Sequence, residues 1–124
     1  MTKLARRRTK LPFITADAAN MPLQSESVAI VTAFALLHEM PRGYSRIVLR
    51  ECARVIQSGG FIVLWDQNPE LPTPQSTAIV PIEPFLDSYK SMNVTKELDR
   101  AGFHDIRVQT NRFMRLWIGK KRKL

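Results

Sequence analysis

The chain has 124 residues, 44% of them hydrophobic and 24% charged, the size and composition of one globular domain but short for an enzyme holding both a cofactor and a substrate. Its net charge of +8 is terminal: residues 1–10 carry five basic side chains and residues 112–124 six, with no acid in either segment, which leaves the middle at −3. The longest apolar run is far below the roughly 18 residues that span a bilayer, and a single cysteine, Cys52, excludes an intrachain disulfide and argues against zinc; no metal site is expected.

In chain order, residues 1–11 are polar and basic. They hold no apolar core for a secretory signal; with the single cysteine a reducing, cytoplasmic setting is expected, and an Arg-rich organelle transit sequence is the alternative. Pro12-Phe13-Ile14-Thr15-Ala16 predicts a short strand ending at Asp17, followed by a loop punctuated by Asn20 and Pro22. The run Ile30 to Leu37, closed by His38-Glu39-Met40-Pro41, predicts a strand. From Tyr44 the apolar residues Tyr44, Ile47, Val48, Cys52, Val55 and Ile56 keep helical spacing, while Arg42, Arg46, Arg50 and Arg54 repeat every four residues elsewhere on the cylinder. Those arginines could pair with phosphates; a solvated face near Glu51 is preferred.

Gly59-Gly60 is expected to cap this helix and turn into a second strand, Phe61 to Trp65, closed by Asp66. The two near-continuous apolar runs predict a βαβ crossover whose strands are buried on both faces. Asn68 to Pro84 holds five of the eight prolines and no period, so a loop or lid is expected over residues 67–90, with a short helix at Glu83–Tyr89 covering a site at the strand ends. Val94, Leu98 and Ala101 predict a helix started by Ser91 or Asn93 and stopped by Gly102. Ile106 and Val108, then Phe113 to Ile118, predict an antiparallel hairpin at a sheet edge. Residues 119–124 form a basic tail, expected to be solvated.

Several segments taken together resemble one family. Thr15-Ala16-Asp17-Ala18 with Met21-Pro22-Leu23, the strand ending Ala35-Leu36-Leu37-His38-Glu39-Met40, and above all Arg54-Val55-Ile56-Gln57-Ser58-Gly59-Gly60 leading into Phe61–Asp66 resemble the C-terminal half of a class I S-adenosylmethionine-dependent methyltransferase. The ubiquinone and menaquinone biosynthesis branch is the most similar, and Glu83–Tyr89 and Ala101-Gly102-Phe103 extend the likeness to nearly the whole chain. The resemblance implies a partial Rossmann-like α/β sheet, the family's third to seventh strands, within a single domain: a cofactor-side half at residues 12–66, the loop, and a C-terminal helix and hairpin at 91–118. It implies that Asp17 accepts from the adenine amino group, that the Ala18 N–H meets a ring nitrogen, and that Asn20 and Met21 line the adenine pocket. Ala33, Phe34 and Ala35 would present carbonyls to the methionine ammonium, with Leu37 and His38 walling the sulfonium. Asp66 and Tyr89 are candidates to face a small-molecule methyl acceptor, and His38 to act as a base. A turn Asp, an amphipathic aromatic and a histidine satisfying a local hydrogen bond are the structural alternatives.

The family's glycine-rich G-x-G-x-G turn and the acid that holds the ribose have no counterpart in the 124 residues. Because the family places its first two strands between the third and the fourth, the strand Ala29–Phe34 would be left with an open edge. The expectation is therefore a truncated product, or a sheet completed by a second copy or a complementing N-terminal fragment, inactive or partner-dependent alone. The alternative is a non-enzymatic binding or regulatory module using its basic termini or its open edge. No RNA-binding aromatic motif favours a nucleic-acid partner.

Overall fold

The computed structural model describes residues 13–72 and 84–123. Four strands form one mixed sheet in the order β1-β2-β4-β3: β1 Val28–Phe34, β2 Ile56–Gln67, β3 Phe103–Thr110 and β4 Met114–Lys121. β1 and β2 run parallel, pairing Ile30 with Phe61 through Phe34 with Trp65, and α1 (Arg42–Val55) is the crossover between them. β4 lies antiparallel to both β2 and β3, so the hairpin sits at the edge as expected. Two short helices, α2 (Leu86–Ser91) and α3 (Val94–Ala101), precede it.

The core lies on one side of the sheet. Val48, Leu49, Cys52 and Val55 of α1 and Leu98 of α3 pack on Ile62, Leu64, Phe103 and Trp117. Burial pushes the Cys52 thiol up to about 11, so it behaves as a small hydrophobe. The helix α3 follows its local signals closely: the Asn93 side chain accepts from the Lys96 N–H at 3.0 Å, and Gly102 terminates the helix at φ +114°.

Several expectations are corrected. Residues 13–16 form no strand, although Asp17 and Asn20 bridge across a tight turn; Pro12 lies outside the described residues. A strand exists only through its ladder, and β1, at the sheet edge, pairs with β2 alone among the described residues. The helix α1 stops at Val55, not at the glycines, because fully buried Ile56 is drawn into β2 opposite Val28. Gly59 (φ +79°) then lies inside β2, where five residues of β2 span the register that two residues span on β1. Gly60 is needed for close approach, since a Cβ there would collide with the Ala29 and Gln57 carbonyl oxygens.

The strands are not buried on both faces. Ile30, Phe34, Phe61 and Trp65 point away from the helices and are exposed. The basic end is only partly a tail: β4 continues through Lys121, whose Nζ donates to the Ile56 carbonyl, and Arg122 is bonded to Asp99. The short helix begins at Leu86; Glu83 and most of the proline-rich loop, residues 73–83, lie outside the described residues.

Candidate functional site

Parallel strands present their C-terminal ends to ligands because the connections there leave a crevice bordered by backbone polar groups. β1 ends at Phe34, and Ala35 turns the chain sharply at φ +56°, its N–H donating to the Trp65 carbonyl at 2.6 Å. A non-glycine residue in this left-handed region is uncommon. One 3-10 turn, Leu37–Glu39, then leads through Met40 and Pro41 into α1.

Asp66, near the end of β2 and 1% exposed, organises that turn. Its Oδ2 accepts from the N–H of Leu37 at 2.9 Å and of His38 at 3.4 Å, and its Oδ1 from His38 Nδ1 at 2.7 Å and from the N–H of Gln67 at 2.7 Å. A carboxylate can only accept, so Nδ1 carries the proton of that bond and the imidazole is held in one orientation. Nε2 lies 3.0 Å from Glu39 Oε1. Tyr89 of α2 closes the cluster: its ring stands edge-on to His38 at 6.3 Å, and its hydroxyl donates to the Gln67 carbonyl. Burial, then the negative charge of Asp66, pushes the Tyr89 phenol well above its ordinary range. Asp66 and Tyr89 are thus buried supports of His38 at the strand ends.

The second half of the site is the turn Asp17–Asn20. Asp17 Oδ1 accepts from the Ala19 N–H at 2.9 Å and from the Tyr44 hydroxyl, and these bonds, the hydroxyl first, hold its carboxyl below the usual range. Ala18, Ala19 and Met21 pack against the core, while Asn20 is exposed. Met21 is fixed through its backbone: its N–H donates to Glu51 Oε2 at 3.1 Å and its carbonyl accepts from Arg54 Nη2 at 3.1 Å. Glu51, 8% exposed, is also bonded to Arg54, which lowers its pKa.

Asp17, through Tyr44, and His38, through the 3-10 turn, both attach to the beginning of α1. Ala33, Phe34 and Ala35 lie at the end of β1, whose outer side has no sheet partner among the described residues. The sequence alone marks neither Tyr44 nor the Glu51–Arg54 pair as part of the site. Tyr44 lies 27 residues from Asp17 and fits the apolar helical period, so no local signal marks its hydroxyl as the holder of that carboxylate.

A family model described as a methyltransferase domain matches residues 1–64. Phthiotriol/phenolphthiotriol dimycocerosates methyltransferase 1 of Mycobacterium ulcerans (strain Agy99) is 37% identical over 70 residues, 54% of this chain and 25% of that enzyme. Among solved structures, a SAM-dependent methyltransferase of Thermotoga maritima superposes with a TM-score of 0.72 at 14% identity, covering 98% of this chain and 69% of its own. Human N-acetylserotonin methyltransferase in complex with SAM gives a TM-score of 0.67 at 16% identity, over 98% of this chain and 38% of that one. The chain therefore spans only part of the relatives it matches.

Proposed function

This chain belongs to the methyltransferase domain family, and from that premise we infer that it forms part of an S-adenosylmethionine-dependent methyltransferase acting on a small molecule. The observation that carries this reading is that the family match takes in β1 together with Asp17 and His38, the two residues that attach to the start of α1. Asp17 fits the adenine end: an exposed carboxylate, kept ionised by two donors, is a ready acceptor for an amino group. Ala18, Asn20 and Met21 would border the ring. Ala33 and Ala35 face β2, which leaves Phe34 between them to offer a backbone acceptor for an ammonium on the side of β1 that has no sheet partner among the described residues.

The bound cofactor would supply an already activated methyl group, so the protein's task is to orient the acceptor and exclude water. His38, fixed by Asp66 and flanked by Tyr89, is suited to both. None of the five glycines, at 43, 59, 60, 102 and 119, makes a G-x-G-x-G turn. We therefore assign the ribose and carboxylate contacts to polypeptide other than these residues: a covalent neighbour, a second copy or a complementing fragment. Full affinity and activity depend on that contribution.

Nuclear magnetic resonance of the 124-residue chain tests this. S-adenosylmethionine at about 10 mM should move the Ala18 and Ala19 amide signals and spare those of β3, an affinity in the millimolar range worth only about 4 kcal/mol. The Asp17→Ala variant should abolish the shift. Unmoved signals would reject the adenine site, and micromolar binding by this chain alone would reject the need for a further contribution.

A further inference from the structure

The arginine stripe of α1 does not simply face solvent. Glu97 of α3 is buried, and Arg46 clamps it with a two-bond fork, Nε to Oε2 at 3.0 Å and Nη2 to Oε1 at 3.1 Å. Arg42 and Arg100 each hold a guanidinium nitrogen 3.5 Å from Oε1. The acid faces inward with a side-chain exposure of 2%, whereas the side chains of Arg42, Arg46 and Arg100 are 43%, 42% and 49% exposed. One turn beyond Arg46, Arg50 is exposed and has neither hydrogen bond nor ion pair among the described residues. Arg46, Arg50, Arg100, Glu97 and Ala101 line a concave space of about 250 Å³ between the two helices.

Three guanidinium groups, those of Arg46, Arg50 and Arg100, thus line a groove that holds one carboxylate, and that carboxylate lies at its back. Each guanidinium carries five N–H donors in a planar fork, of which Glu97 uses at most two. Stacking like charges on helix faces is unfavourable unless an anion offsets them. A second carboxylate would neutralise only one of the two excess charges. A phosphoryl dianion offsets two and offers three oxygens to forks arriving from both helices. A groove of about 250 Å³ suits such a group rather than a nucleic-acid backbone, which needs an extended basic track. We propose that the α1–α3 groove is a binding site for the phosphoryl group of a small molecule, with Arg50 and Arg100 as its outer clamps and Arg46 behind them.

Titration of inorganic pyrophosphate into the full chain, followed by the arginine side-chain Nε–H signals, tests the site. Saturable shifts at Arg50 and Arg100 are expected, with affinity falling about tenfold in Arg50→Gln and in Arg100→Gln. Arg50 has no partner to lose among the described residues, so its variant should retain the parent circular dichroism spectrum and melting temperature. Arg107→Gln, an exposed arginine on β3, should bind as the parent does. Absence of saturation at about 10 mM pyrophosphate, or an equal loss in Arg107→Gln, would overturn the proposal. So would a short duplex that binds more tightly than pyrophosphate with a salt slope of several charges.

Discussion

Removing the Asp66 carboxylate would strip four donors of one buried acceptor. Asp66→Ala leaves the Leu37 N–H and His38 Nδ1 without their partner inside the protein, and unsatisfied buried donors of this kind cost about 2–4 kcal/mol. The urea unfolding midpoint should fall accordingly. Asp66→Asn, which keeps one acceptor oxygen, should recover part of the loss, and Asp87→Ala, at an exposed position, should stay within about 0.5 kcal/mol of the parent. A midpoint unchanged in Asp66→Ala would mean that the carboxylate does not hold the 3-10 turn. At this scale, residues at strand ends are legible in the sequence: Asp66 and His38 stand out as polar closures of apolar runs. What joins them to each other is not legible, because the pair is brought together across 28 residues by sheet register alone. Tyr44 is the same case in reverse, an apolar-period residue whose hydroxyl does the work.

Elements whose ends are set locally follow the sequence best. The helix α3 begins and ends where Asn93 and Gly102 dictate, and the hairpin β3–β4 forms from its alternation. The end of α1 is decided instead by Ile56 pairing into the sheet, a long-range contact that outweighs the local glycine signal. The contact between α1 and α3 carries its own prediction. The fork from Arg46, followed by the charges of Arg46, Arg100 and Arg42, lowers the Glu97 pKa in the folded state. A carboxylate with a lowered folded pKa contributes stability that is fully present above its unfolded value and is lost as the pH falls toward the folded one. The melting temperature should therefore drop on acidification through and below the ordinary glutamate range. In Glu97→Gln the protein should be less stable at neutral pH by about 1–3 kcal/mol, and its acid limb should be shallower. Parallel pH profiles for the two proteins would show that Glu97 is not a source of the acid sensitivity.

For the whole molecule, the sheet has one covered face and one bare one. Both α1 and α3 pack on the side of Ile62, Leu64 and Trp117. On the other side Ile30, Phe34, Phe61 and Trp65 are 55%, 67%, 39% and 48% exposed, and Phe34 and Trp65 stack edge-on at 5.4 Å. Near-continuous apolar runs such as those of β1 and β2 are the composition of strands buried on both faces, yet here one face is bare. The outer edge of β1 borders the same bare surface, so one partner could pair with the edge and cover the face together. The isolated chain should accordingly sediment as a dimer or larger species at about 50 µM, a concentration at which an association worth about 6–7 kcal/mol is already populated. Introducing charge at Phe34→Lys with Trp65→Lys should return it to monomer without unfolding it, since neither side chain belongs to the buried core. A parent chain that sediments as a single cooperatively folded monomer at that concentration would show that the bare face and open edge need no cover from a second copy.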